Sequence, residues 1–346
     1  MNKNIIRNLL TSFAFAGIMT TIACGNDPSQ DGILVPKIVV DDLALLSATI
    51  NGVKLHISMT TVGTPGANDN IVFLHGGPGY DYRALEPLKN LVDDSVNNHR
   101  YVLYDQRGGG LSQRLDPSDS TLSVAGHVAD LEAIRTSASF FNGGTMKIVA
   151  HSWGGALAQA YMKSYPNRVT KIVFIASMPA KNTNSDDLLT SIFNTAAGDY
   201  TWQRNLLGES HAELDFRFIN FLPAQTYYYC NAEDYKKVRY WRFGYAAVIK
   251  TLENGMLAGA VTGPSVTYNY DFTASNAAVS SVNEATYIVG SCDTKLGATA
   301  ANSIRNTLTV TPSSANNTVV TVANAGHYVF TDQLDAVATQ VIAGLQ

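Results

Sequence analysis

Four short runs dominated by apolar residues each empty into a polar or glycine-containing turn, and this pattern restricts the chain's fold more than any other feature. They occupy residues 71–74, 101–104, 146–150 and 171–175. A strand with one face in water alternates apolar and polar side chains, so a continuous apolar run requires cover on both faces. Stretches with helical periodicity intervene, at 123–137 and 155–165. Such alternation predicts an α/β fold: a mostly parallel central sheet flanked by helices. Two earlier strands, near 44–50 and 53–60, meet at Asn51-Gly52, a strong hairpin signal. The strand rhythm returns at 286–290 and 318–322, and residues 332–345 read as a closing helix.

Between these two groups of strands the pattern breaks. Residues 181–276 read as helical and are rich in aromatics, among them Trp202, Phe216, Tyr227, Tyr240 and Trp241. This segment is best read as a helical cap inserted between a first core part (37–180) and a second (277–346). It would lie over the C-terminal edge of the sheet, where open α/β sheets bind ligands.

The first 24 residues read as a targeting segment. Lys3 and Arg7 precede an apolar stretch too short to span a bilayer comfortably. It ends in Thr21-Ile22-Ala23-Cys24-Gly25, which resembles a bacterial lipoprotein signal, with Thr21 where Leu is usual. Lipid on Cys24 would anchor the chain to a membrane outside the cytoplasm; residues 25–36 would serve as a flexible tether. The other cysteines, Cys230 and Cys292, read more readily as separate thiols or small buried residues than as a bridge. The net charge of −4, with no basic stripe, argues against a nucleic-acid partner.

The sharpest chemical signal is Ala150-His151-Ser152-Trp153-Gly154-Gly155, between an apolar strand and a helix. That is the setting of a nucleophile elbow, usually G-x-S-x-G, with Ala150 here at the first small position. A serine hydroxyl needs a base, and the base needs an orienting acid. Elimination among the seven histidines favours His327. His151 adjoins the serine but sits on the wrong side of the turn, and His75 suits a loop buttress. His56 falls in an early strand, His99 in a loop, His127 in a helix and His211 in the insertion. Asp293, after a later strand, is the preferred acid and gives the order Ser, Asp, His; Asp186 and Asp187 are rivals. The amides of Gly77, in His75-Gly76-Gly77-Pro78-Gly79, and of Trp153 are the expected oxyanion donors. No metal or organic cofactor is required by this chemistry.

Three blocks together resemble the prolyl aminopeptidase (proline iminopeptidase) family of α/β-hydrolase fold serine hydrolases. They are His75–Gly79, Asp105-Gln106-Arg107-Gly108-Gly109-Gly110-Leu111-Ser112, and His151–Gly155. The segment Asp130-Leu131-Glu132-Ala133-Ile134-Arg135 is also similar. The resemblance implies the α/β-hydrolase fold, the triad Ser152, Asp293 and His327, and a helical cap. In that family acidic cap residues hold a substrate's free α-ammonium. Glu209, Glu213, Glu233 and Glu253 are the candidates here, with Trp241 as an aromatic wall. Arg107 and Asp105 read as loop-fixing residues. The implied activity is release of N-terminal proline or another apolar residue from small peptides. A small ester or lactone is the alternative substrate, and a non-catalytic binding lipoprotein the alternative of a different class.

Overall fold

The computed structural model describes residues 47–116, 118–181, 229–231, 244–258, 268–308, 317 and 319–346. Among the described residues, eight strands form one sheet in the order β1-β2-β4-β3-β5-β6-β7-β8. They are β1 (Ser47–Ile50), β2 (Val53–Val62), β3 (Asn70–Leu74), β4 (His99–Tyr104), β5 (Met146–His151), β6 (Val169–Ile175), β7 (Glu284–Gly290) and β8 (Val319–Val322). The first two form the expected hairpin; Asn51 and Gly52 both have positive φ, 47° and 79°, as a twisted two-residue hairpin turn demands. β2 pairs antiparallel with β1 and β4, and every pairing from β4 to β8 is parallel.

The apolar runs behave as fully covered strands. Ile71, Val72, Phe73 and Leu74 are wholly inaccessible, as are Ile148, Val149 and Ala150. Full burial of a large aliphatic or aromatic side chain stabilises by about 1.5–3 kcal/mol, so the middle of the sheet is the heart of the core. The covering helices are α1 (Glu86–Asp93), α2 (Val124–Thr136), α3 (Trp153–Ser164), α4 (Tyr245–Glu253), α5 (Ala298–Thr307), α6 (Val329–Asp332) and α7 (Leu334–Leu345). Ser123 caps α2, its side chain accepting from the Gly126 amide, which satisfies a donor that the first helical turn leaves orphaned.

Three local expectations need correction. His99 begins β4 instead of lying in a loop, because its backbone pairs with Val62. The closing helix, α7, starts two residues later than expected, because Gln333 at φ −138° and ψ 62° lies outside the helical region and separates it from the short α6. Cys230 and Cys292 are joined in a disulfide across 62 positions; the spacing alone carried no sign that the two segments would meet.

Of the proposed insertion, the described parts are its two ends, residues 229–231 and a segment containing α4. Lys181 and Asp271 form an antiparallel bridge, and the Phe272 amide donates to the Ala180 carbonyl at 2.6 Å. Helix α4 rests on the loop after β3 and on helix α2. The Gly244 amide donates to the Gly79 carbonyl at 2.7 Å, and Thr251 hydrogen-bonds the His127 ring.

Because β3 to β8 run in one direction, the segments that follow β3, β4, β5, β7 and β8 all emerge at one edge. Each carries a residue that the sequence singled out: His75–Gly79, Asp105-Gln106-Arg107, Ser152, Asp293 and His327.

Candidate active site

Ser152 links β5 to α3 in a backbone conformation of φ 54° and ψ −121°, sparsely populated for a residue with a Cβ. The turn is held on both sides. The Ser152 amide donates to the Ile175 carbonyl at 3.1 Å, and the Ser152 carbonyl accepts from Gly155 and Met178 at 2.9 and 3.0 Å. Close packing explains the small residues after the serine: a Cβ on Gly155 would lie 2.4 Å from Ser177 Cβ. Ala150 fits before it, fully buried, with its carbonyl accepting from Ser177 Oγ at 2.9 Å.

His327 approaches from the loop after β8. Its Nε2 lies 2.9 Å from Ser152 Oγ, and its Nδ1 lies 2.8 Å from Asp293 Oδ2. All three residues are buried. The other carboxylate oxygen, Oδ1, accepts from the amides of Lys295 and Leu296 at 2.9 and 2.8 Å. Burial pushes the Asp293 carboxyl up. The His327 charge and hydrogen bond, with the two amides, outweigh that and hold it below its ordinary value. An ionised Asp293 accepts the Nδ1 proton, which leaves Nε2 bare to accept from the serine hydroxyl. Such an array can draw the proton from Oγ as the oxygen attacks an electrophile.

The loops that carry acid and base are laced together. The Ser291 amide donates to the Val322 carbonyl and the Cys292 amide to the Ala325 carbonyl, at 2.9 and 2.8 Å. The Asn324 amide returns a bond to Ser291 Oγ at 3.0 Å. Cys292, the residue before Asp293, carries the disulfide to Cys230; next to that cysteine, Tyr229 stacks on Tyr328 at 5.9 Å between centroids. Residues 229 and 230 are therefore tied to both loops at the residues adjoining Asp293 and His327.

His151, set aside as a base, touches the base directly. Its ring lies 4.8 Å from that of His327, and its Nε2 is 3.1 Å from the His327 carbonyl. Burial first, and the His327 charge second, hold the His151 ring well below the ordinary histidine range, so it stays neutral. Adjacency in sequence concealed this contact, because neighbouring residues at a sharp turn point apart.

The His75–Gly79 turn runs beside the serine. A Cβ on Gly76 would lie 3.0 Å from Ser152 Cβ and 3.2 Å from His151 Nδ1. Among the described residues, the Gly77 and Trp153 amides donate to no backbone carbonyl outside regular elements. Trp153 opens α3, where an amide has no partner within the helix. His75 sits beneath the turn as the expected buttress. Its Nδ1 is 2.7 Å from the Gly76 carbonyl, and its Nε2 accepts from the Gln106 amide at 3.0 Å.

Asp105 and Arg107 fix loops, as their pattern suggested. Asp105 accepts from the amides of Tyr82 and Leu111, and its Oδ2 lies 3.1 Å from His56 Nδ1. Arg107 grips Asp130 through two nitrogens, at 2.7 and 2.6 Å, and both side chains are buried. Of the glutamates considered for a substrate amine, Glu253 forms an ion pair with Lys250 at 2.7 Å. Glu209, Glu213, Glu233 and Trp241 lie outside the described residues, as do Cys24, Asp186, Asp187 and His211.

Residues 69–333 match the family described as alpha/beta hydrolase fold. Among curated proteins, a proline iminopeptidase from Saccharolobus solfataricus is 36% identical over 117 residues, covering 34% of this chain and 35% of its own. One from Heyndrickxia coagulans is 37% identical over 110 residues, covering 32% and 35%. A cis-3-alkyl-4-alkyloxetan-2-one decarboxylase from Shewanella oneidensis is 30% identical over 125 residues, covering 36% of each. The chain thus spans about a third of the length of the curated relatives it matches. Among solved structures, a proline iminopeptidase-related protein from Thermus thermophilus superposes with a TM-score of 0.56 at 15% identity, over 87% of this chain and 96% of its own. A bromoperoxidase from Bacillus anthracis reaches 0.60, also at 15% identity, over 87% and 99%. At such identities these two likenesses speak to the fold alone.

Proposed function

The chain belongs to the alpha/beta hydrolase fold family, and on that premise we propose that it is a serine hydrolase acting through an acyl-enzyme on Ser152. The observation that carries this reading is the unbroken hydrogen-bonded line from Asp293 through His327 to Ser152. Ser152 Oγ bonds to the substrate's acyl carbon while its proton passes to His327 Nε2. The Gly77 and Trp153 amides receive the oxyanion, a role for which preorganised donors are worth about 2.7–4 kcal/mol each. As the tetrahedral intermediate collapses, the bond from acyl carbon to leaving nitrogen or oxygen breaks, and that atom takes the proton from Nε2. Water repeats the sequence: its proton goes to His327, its oxygen to the acyl carbon, and Ser152 Oγ leaves with the proton returned. Asp293 fixes the tautomer and stabilises the imidazolium throughout.

The substrate favoured is a small peptide or amino-acid amide with a free N-terminus. Similarity to proline iminopeptidases at 36% and 37% identity supports it. A small cyclic or open ester is the second reading, favoured by similarity to a decarboxylase named for an oxetan-2-one, which is a strained lactone. The same nucleophile serves either substrate. Anchoring through lipid on Cys24, outside the cytoplasm, is part of the proposal; it predicts that acyl-chain labelling of cells marks the protein and that Cys24→Ala releases it from the membrane fraction.

A fluorophosphonate probe tests the chemistry. It should label the wild type and leave Ser152→Ala unmarked; equal labelling of both removes Ser152 as nucleophile. Turnover of aminoacyl-naphthylamides against short p-nitrophenyl esters then separates the substrates. Exclusive ester turnover would overturn the aminopeptidase reading.

A further inference from the structure

We infer that Gln106 is a positioning residue that sets the spacing between the two oxyanion donors, Gly77 and Trp153; this rests on the acyl-transfer reading above. Those donors come from different loops, one after β3 and one after β5. Gln106 comes from a third, after β4, and is fully buried. Its side chain spans the other two loops. Nε2 donates to the His75 carbonyl at 3.0 Å, and Oε1 accepts from the Trp153 indole Nε1 at 2.8 Å.

Its backbone is engaged as well. The Gln106 amide donates to His75 Nε2 at 3.0 Å, and its carbonyl accepts from the Gly109 amide at 3.0 Å. His75 Nδ1 continues the line to the Gly76 carbonyl at 2.7 Å. Since Nε2 accepts from a backbone N–H, the proton sits on Nδ1 and is donated to Gly76. Burial holds the His75 ring below its ordinary pKa, so it keeps this neutral form. One chain of bonds therefore runs from the peptide preceding Gly77, through His75 and Gln106, to the indole of Trp153.

Only a side chain with one donor and one acceptor at fixed separation can join a carbonyl to an indole N–H. An ionised carboxylate lacks the donor and a thioether offers no strong partner, whereas the glutamine amide supplies both. Both functional atoms of its amide are engaged by the two segments it joins, so its effect passes through them. Oxyanion stabilisation depends on where donors lie relative to the developing charge, and misplacement by about 1 Å can cost on the order of 100-fold in rate.

The test uses the full-length protein, its best substrate, and a boronic acid that forms a tetrahedral adduct on the serine. Gln106→Met should lower kcat by about 10- to 100-fold with KM within about twofold, and weaken the boronate by a similar factor. Trp153→Phe keeps the backbone amide and removes the indole N–H together with part of a fully buried ring, so it should show part of the same loss. The double variant should lose much less than the product of the two single losses, because both changes cut one link. Thermal unfolding identifies any variant that fails to fold, and Trp153→Phe then carries the test. A Gln106→Met or Trp153→Phe enzyme with wild-type kcat and boronate affinity would overturn the inference, as would a loss in KM alone. Failure of the underlying reading is distinct: Ser152→Ala would then still take the fluorophosphonate probe.

Discussion

Replacing Asp293 by Asn tests the relay at the point where its chemistry is most exposed. The two side chains have nearly the same shape, and the structure dictates how the amide must sit. Asp293 Oδ1 accepts from the Lys295 and Leu296 amides, so the amide oxygen of Asn takes that place. Its NH2 group then faces His327 Nδ1, which is 2.8 Å from Oδ2 in the native protein. Facing a donor, Nδ1 must become an acceptor, and the ring proton moves to Nε2. There it points at Ser152 Oγ and cannot receive the serine proton. Charge stabilisation of the imidazolium disappears at the same time. Loss of both effects is expected to reduce kcat by about 10⁴-fold, on the order of 5 kcal/mol in barrier height. KM should stay within a few-fold, since no substrate contact changes. Steady-state kinetics and the rate of fluorophosphonate labelling should fall together. If Asp293→Asn and Asp293→Ala both retain more than about a tenth of wild-type kcat, the acid lies elsewhere, and Asp186 and Asp187 become the residues to test.

Three further outcomes are expected. Burial is the main cause holding His75, His127 and His151 below the ordinary histidine value; these groups bind protons in the unfolded chain before they do in the folded one. Their stabilising contribution is therefore complete above about pH 6.5 and lost as pH falls below it, by up to about 4 kcal/mol per pH unit for all three, and a urea midpoint that stays flat from pH 7 to 5 would contradict this. Asp130→Ala strands the buried Arg107 guanidinium and should cost about 3–5 kcal/mol by urea unfolding, with Arg107→Met/Asp130→Leu recovering much of the loss. The disulfide between Cys230 and Cys292 spans 62 positions, for which loop-closure entropy suggests about 4 kcal/mol of stabilisation; unchanged thermal unfolding under reductant, with free thiols verified, would refute that role.

The covered strands were legible because burial on both faces leaves a signature in consecutive residues. Ile71 to Leu74 and Ile148 to Ala150 pack apolar side chains on each side of the pleat, and the shortness of the runs with the turn residues that follow them sets them apart from a buried helix. The hairpin was legible because Asn51-Gly52 satisfies a backbone requirement for positive φ that few other pairs meet. Ser152 stood out for a similar reason: a sharp strand-to-helix turn admits only small residues where packing is closest. These are local demands, met within a few positions of chain.

Tertiary structure alone decided what depends on distant segments meeting. It brought Asp293 and His327, which chain order had singled out, to Ser152 by running six strands in parallel, so that loops far apart in sequence share one edge. It laid the His151 ring against that of His327, a contact that adjacency in sequence disguised. It paired Cys230 with Cys292, for which spacing offered no clue, and it placed the Gln106 amide between His75 and Trp153. A hydrogen bond or disulfide requires its atoms to lie within a few ångströms, while residue order sets only how far apart they can be. Local sequence determined the elements and the turn that carries the serine; packing of the sheet determined which side chains could act together.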